Sequence, residues 1–447
     1  MRIKILLLGF ILSIPVIVHA QLGDRIMNRV KNKVNQRADQ KIDKAIDKTL
    51  DDAEGRDRNS KPAPSAKQKN DPVAKPKGEV PNKEVAPANE PAAVPETPVA
   101  RSYVKYDFVA GEELIYINNF ETDKIGELPA GWNTNGNGVI TTIENLPGNW
   151  IQFSQNSAFL TENTASFTDN FTLEFDIVLR RLNPKAVFPQ IAFGVMSAGN
   201  LSTTDNQLLK NYKQFAAVEL KLQPYDNESS NMHLETYTKW QRHLNTDIRN
   251  FGNLQQHFNK PLHVAIHVQK ERLRIWFNEE KHYDLPKAIA PGTIFNQLYF
   301  SVLRYGSDDN EVGYSISNIK VAKGLPDTRH KLVEEGKFST TGILFDVNEA
   351  KIKPESAGIL AQIADVLKKS PGIRVKIIGH TDSDGGAEEN MTLSRNRAAA
   401  VKKALQEQYE IDGSRLESDG KGETVPVGEN STREGRAKNR RVEFVKL

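Results

Sequence analysis

Val375-Lys376-Ile377-Ile378-Gly379-His380-Thr381-Asp382-Ser383-Asp384-Gly385, followed after four residues by Asn390-Met391-Thr392-Leu393-Ser394-Arg395-Asn396-Arg397-Ala398, is the stretch that decides the fold. Val375–Gly379 reads as a short strand. The polar, glycine-containing residues after it predict a loop. Leu393 to Tyr409 predicts a helix with Ala400, Val401, Ala404 and Leu405 on its inward side. Upstream, Pro354 opens another helix that carries Ile359, Leu360, Ile363, Ala364 and Leu367 and ends at Pro371-Gly372. Ile343–Phe345, Leu416–Gly420 and Arg441–Val445 supply further strand candidates. Residues 326–447 are therefore expected to form an α/β domain of βαβαββ layout, two helices packed on one sheet.

The flanking motifs are Leu344-Phe345-Asp346-Val347-Asn348, Gly420-Lys421-Gly422-Glu423, and Gly435-Arg436-Ala437-Lys438-Asn439-Arg440-Arg441-Val442-Glu443. Together with the opening stretch they resemble the C-terminal family of OmpA, which includes the peptidoglycan-associated lipoprotein and the flagellar-motor stator subunit. The resemblance runs from Lys337 to Leu447. It implies a non-enzymatic protein that needs no cofactor and binds peptidoglycan non-covalently through the diaminopimelate of the stem peptide. Carried over, Asp382 faces the diaminopimelate ammonium and Arg397 takes its carboxylate. The chemistry suits a zwitterionic end, since a guanidinium offers a planar, bidentate fork to a carboxylate. The backbone N–H groups at the start of the Leu393 helix are expected to add to anion binding. Thr381, Asn390 and the backbone around Phe345, Asp346 and Asn348 complete the expected pocket. The bland alternative is a structural Asp382–Arg397 salt bridge. Arg433, Arg436, Lys438, Arg440 and Arg441 read as a solvated or wall-facing basic strand, and nucleic acid is not an expected partner.

Residues 101–325 change period. Phe171, Leu173, Phe175, Ile177 and Leu179 alternate with Thr172, Glu174, Asp176, Val178 and Arg180. Val264, Ile266 and Val268 lead to a turn near Lys270-Glu271, and Leu273, Ile275 and Phe277 return. Further strands fit Val139–Glu144, Trp150–Ser154, Ile191–Val195, Phe215–Leu222, Met232–Tyr237, Gln297–Leu303 and Tyr314–Val321. Many strands with almost no helix predict an all-β sandwich of jelly-roll size. Asn119-Phe120-Glu121 to Leu128-Pro129-Ala130-Gly131-Trp132, Asn170–Asp176, and Trp276-Phe277-Asn278-Glu279 to Asp284-Leu285-Pro286 resemble concanavalin A-like jelly rolls of exported bacterial proteins. That resemblance implies a glycan or envelope-protein partner. Its runner-up is a wall-anchored carbohydrate-active enzyme with a catalytic jelly roll. Retaining hydrolysis needs two carboxyls roughly 5–5.5 Å apart. The family's second Glu would fall at Val178 or Leu179, so it is missing, and Glu174 and Asp176 read as solvent-facing. His263 and His267 share a strand face about 13 Å apart, too far for one metal, and read as ordinary strand histidines. Asp308-Asp309-Asn310-Glu311 reads as an acidic surface loop rather than a calcium site. No metal site is expected.

The first hundred residues hold little core. Arg2 and Lys4, an apolar run from Ile5 to Val18 and Val18-His19-Ala20 read as a signal peptide over residues 1–20. Residues 21–55 are charged and free of proline and predict a helix. Their apolar residues recur every four positions, against the 3.5 a coiled coil needs. Residues 56–100 hold nine of the 22 prolines and no aromatic residue, the composition of a disordered linker. The 447 residues carry 60 Lys+Arg against 57 Asp+Glu and no Cys. This excludes disulfides, thiolate metal sites and a cysteine nucleophile. No later apolar run reaches the ~20 residues of a membrane-spanning helix. The expected place is the periplasm of a Gram-negative bacterium, attached to peptidoglycan and associated with the outer membrane through partners or the N-terminal helix.

Overall fold

The computed structural model describes residues 106–447, except residues 163, 164, 211 and 305. The expected signal peptide, charged helix and Pro-rich linker lie outside the described residues.

Among the described residues, 113–323 build two antiparallel sheets of eight strands each. The first sheet is centred on three long strands, Pro261–Gln269, Asn170–Arg181 and Val312–Lys323, which are neighbours in that order. Glu113–Asn118 pairs with Val312–Lys323 as well. The second sheet is centred on Ala216–Gln223, Ile191–Ser197 and Gln297–Val302. Alternation in Asn170–Arg181 sends Phe171, Leu173, Phe175, Ile177 and Leu179 into one core, all at most 1% exposed. The Phe175 ring lies 5.1 Å from Phe193 and 5.6 Å from Phe300, both on the second sheet, so this core is what joins the sheets. Six of the seven further predicted strands appear within two residues of their expected ends; the seventh, expected to run from Val139 to Glu144, spans Gly138–Thr141. Glu113–Asn118, Ser157–Leu160 and Glu280–Leu285 were not read from the sequence. Each is short or polar and carries little alternation.

The opposite face of the first sheet departs from expectation. Thr172, Glu174 and Val178 are buried there, as are His263, Ala265 and His267 on the neighbouring strand. A strap covers part of this face. Tyr106 and Phe108 pack edge-on against Trp276, with Ala265 beneath, and Asp107 accepts from Trp276 Nε1 at 3.1 Å. The strap also meets the α/β domain. Gly358 sits so close to Phe108 that a Cβ there would lie 1.8 Å from the Phe108 carbonyl oxygen. A strand-alternation argument assigns such a face to water. It cannot foresee a second layer supplied from distant sequence.

The α/β domain has one four-stranded sheet in the order Lys337–Thr340, Val442–Lys446, Val375–Gly379, Leu416–Gly420. Only the last pair is parallel. Helices Ala357–Lys369 and Ala387–Glu407 bury Ile359, Ile363, Leu367, Ala398, Val401 and Leu405 in one core with Val375, Ile377, Leu416 and Phe444. The expected βαβαββ layout needs correcting in two places. The first strand is Lys337–Thr340, not Ile343–Phe345. Residues 344–353 form a closed loop held by a single Phe345–Ile352 bridge, with Asn348 turning the chain at φ 57°. A third helix, Arg433–Asn439, precedes the last strand. It was missed because it is polar and just two turns long. Thr432 starts it, its Oγ1 accepting from Gly435 N at 3.0 Å.

Candidate functional site

The predicted site residues converge. Phe345, Asp346, Asn348, Thr381, Asp382, Asn390, Leu393 and Arg397 all line one cleft of about 430 Å³. Gly379 ends the strand Val375–Gly379 against helix Ala387–Glu407, where a Cβ would fall 2.2 Å from the Ser394 carbonyl oxygen. That contact brings the 380–385 loop beside the helix. Asn390 fixes the loop. Its amide donates to the Asp384 carbonyl at 3.0 Å, to the Asp382 carbonyl at 3.3 Å and to Glu423 Oε2 at 2.7 Å. Its donors are thus spent on shaping the loop.

Arg397 projects from the same helix. Its Nε donates to the Glu349 carbonyl at 3.0 Å and an Nη to the Asp346 carbonyl at 3.4 Å. Its guanidinium carbon stands 4.9 Å from the Phe345 ring centroid. Burial lowers its pKa, and the charge of Asp382 opposes that shift. The guanidinium is held by neutral oxygens and an aromatic face, so its charge stays available to an anion. The expected alternative, a direct Asp382–Arg397 salt bridge, is not what forms. Asp382 is buried and ion-pairs with Arg440 instead. Thr381 is buried too, and its Oγ1 has no hydrogen-bond partner among the described residues.

Two expectations about this region change. Helix Ala387–Glu407 begins six residues before Leu393. Glu388 and Glu389 favour that earlier start by facing the positive end of the helix. Leu393 therefore lies inside the helix, where its N–H is not a free anion donor, and contributes only its side chain to the cleft wall. The basic cluster is not a solvated strand either. Arg433 donates to Thr122 Oγ1 at 2.8 and 3.0 Å and pairs with Asp123 at 2.9 Å. Arg436 pairs with Glu121. Arg441 is buried against Glu443 at 2.7 Å. Of the five, only Lys438 stays exposed. Arg433 and Arg436 thus clamp the α/β domain to the loop after Glu113–Asn118.

This clamp makes the sandwich the other wall of the cleft. Asn119, Glu121, Asp176, His263, Asn318 and Lys320 line it from that side. The sequence pattern makes His263 an ordinary strand histidine and turns Glu174 and Asp176 to solvent; the structure corrects both. His263 Nδ1 lies 2.7 Å from Asp176 and its Nε2 3.5 Å from Glu174, and all three are largely buried. Asn318 Nδ2 donates to the second Asp176 oxygen at 2.7 Å. Burial alone would lower the His263 pKa, but the hydrogen bonds to Asp176 and Glu174 outweigh it and hold the imidazole at about 10. Glu174 and Asp176 are lowered despite burial, chiefly by His263. Val178 is fully buried and Leu179 belongs to the core, so no second Glu follows the motif. In the acidic loop, Asp309 accepts from Gln155 N at 3.2 Å and Asp308 from Asn310 N at 2.8 Å, contacts that anchor the loop itself. Arg440 and the sandwich wall escaped sequence reading, because neither carries a signal until the two folds are placed together.

Residues 344–440 match the OmpA family and form an OmpA family domain. A stretch of 102 residues is 46% identical to the probable lipoprotein YiaD of Escherichia coli, covering 23% of this chain and 46% of that protein. A stretch of 103 residues is 41% identical to the peptidoglycan-binding protein ArfA of Mycobacterium tuberculosis, covering 23% and 31%. The chain thus spans less than half the length of both relatives. Among solved structures, the peptidoglycan-associated lipoprotein of Burkholderia pseudomallei is 29% identical over 24% of this chain and 89% of that one, with a TM-score of 0.23. The relatives bear the names of outer membrane and peptidoglycan-binding proteins.

Proposed function

We propose that this chain is a non-enzymatic cell-envelope protein that binds peptidoglycan non-covalently through the diaminopimelate of the stem peptide. The observation that carries the reading is Arg397. Its guanidinium, set on Phe345 and held by two carbonyls, faces a cleft with no carboxylate of its own in contact. Asp382 stands in the same cleft and shares its charge with Arg440. A diaminopimelate end would place its carboxylate on Arg397 and its ammonium beside Asp382. Thr381 Oγ1 is left to complete the set.

In this reading residues 326–447 hold the wall. Residues 101–325 are a concanavalin A-like jelly roll that presents a surface to a glycan or another envelope protein. Residues 1–20 direct export, and residues 21–100 lie outside the described residues. Any outer-membrane association comes through partners or through the N-terminal residues.

The test is co-sedimentation of the chain with purified diaminopimelate-type sacculi. The wild type should pellet, and Asp382→Ala/Arg397→Ala should stay in the supernatant. Undiminished pelleting by the double variant would overturn the pocket.

A further inference from the structure

The cleft is lined by more than Asp382 and Arg397, and its lining includes two lysines with no ion-pair partner among the described residues. Lys320 comes from the sandwich strand Val312–Lys323, and Lys353 from the α/β domain just before helix Ala357–Lys369. Both are half-buried. Lys320 feels the charge of Glu174, and Lys353 that of Asp176, but only at a distance. Those carboxylates are already engaged by His263 and Asn318. Glu355, two residues after Lys353, also lines the cleft.

The strand that carries Lys320 is built irregularly at this point. Its register against Asn170–Arg181 shifts between Ser317 and Lys320, and Asn318 adopts φ 56°, a left-handed conformation for a non-glycine residue. A bulge of this kind re-aims side chains, and such bulges concentrate beside functional sites. Here it turns Asn318 onto Asp176 and leaves Lys320 on the cleft wall.

We propose that the sandwich completes the peptidoglycan site: Lys320 and Lys353 take a second carboxylate of the same stem peptide, next to the diaminopimelate held by Asp382 and Arg397. This rests on the peptidoglycan reading above and extends it. The chemical class required is a peptide with a free carboxylate one residue away from the zwitterionic end. In the stem peptide that group is the α-carboxylate of the γ-linked glutamate. A half-buried ammonium with no carboxylate in contact gains a charge-assisted hydrogen bond from such a ligand.

The experiment is calorimetric titration of the full chain with three probes. They are free diaminopimelate, the tripeptide L-Ala-γ-D-Glu-diaminopimelate, and the same tripeptide amidated at the glutamate α-carboxylate. The acid tripeptide should bind about tenfold tighter than the amidated one, the ratio expected for one well-placed ionic hydrogen bond. Lys320→Ala and Lys353→Ala should each shrink that ratio toward one, and Lys320→Arg should keep it. Lys353 lies on a loop outside the sheets, so its variant reports even where Lys320→Ala disturbs the sandwich. Equal affinity for the two tripeptides, or a ratio unchanged in both alanine variants, would overturn the proposal while leaving diaminopimelate binding intact. Failure of free diaminopimelate to bind would overturn the underlying reading, and this one with it.

Discussion

The two walls of the cleft handle buried charge in opposite ways. On the sandwich wall, Asp176 is bound by both His263 Nδ1 and Asn318, and Glu174 stands 3.5 Å from His263 Nε2, so these acids and the imidazole face one another. On the α/β wall, Arg397 rests on carbonyls and a ring, and Thr381 Oγ1 is left without a partner. A closed set of charges stabilises the fold that assembles it. A set with spare valence is suited to a ligand. The difference teaches where to look for binding: not at the densest cluster of titratable groups, but at the groups the fold leaves incomplete.

His263→Ala should break this contrast most severely. It strips two buried carboxylates of their shared cation, and losing one partner of a buried ion pair costs about 3–5 kcal/mol. Denaturant unfolding would measure the loss. The pH dependence has a definite sign. His263 is raised to about 10, so its contribution is full below the usual histidine pKa near 6.5 and fades as pH climbs toward 10. Glu174 and Asp176 are lowered, so their contribution is full above the ordinary carboxylate pKa and fades as pH falls below it. The gap between wild type and His263→Ala should therefore be widest near pH 5–6 and narrow on both sides. A gap that is flat with pH would show that the cluster is not ionised as described.

Gly358→Ala tests whether the strap truly joins the two folds. The added Cβ meets the Phe108 backbone and forces strap and helix apart, an overpacking cost of about 1–3 kcal/mol. Hydrogen exchange at residues 106–110 should rise in step. Arg397→Ala is the counterpart to His263→Ala. It removes hydrogen bonds to two carbonyls at the cleft edge, so stability should fall by only about 0.5–1.5 kcal/mol while sacculus binding is lost. Equal damage to stability from the two variants would erase the distinction between the walls. Thr432→Ala removes the cap of the helix that carries Arg433 and Arg436 and should cost about 1 kcal/mol by thermal unfolding. At the bottom of the scale, Lys124→Ala breaks a fully surface-laid pair with Glu127 and should shift stability by less than about 0.5 kcal/mol.

Legibility follows the same division. The grouping of residues on the α/β wall of the cleft could be read because they sit in short contiguous motifs. Gly379 to Gly385 and Asn390 to Ala398 hold loop and helix together in sequence, so residues that meet in space are also near in the chain. The core strands were legible from alternation, as at Phe171 to Leu179. What alternation misassigned was the far face of that strand. The pattern states that Glu174 and Asp176 point away from the core, but not what lies on the other side.

The sequence by itself determined the OmpA family domain, the eight residues that gather in its cleft, and a β-rich region ahead of it. These depend on local spacing and on motif. Only the tertiary structure decided that Asp382 pairs with Arg440, that His263 joins two carboxylates, and that Lys320 reaches the same cleft as Arg397. Each of these joins residues from about 60 to more than 80 positions apart in the chain, or from separate folds. Such contacts are set by how packed layers cover one another, and the order of residues along a strand or helix carries no record of that.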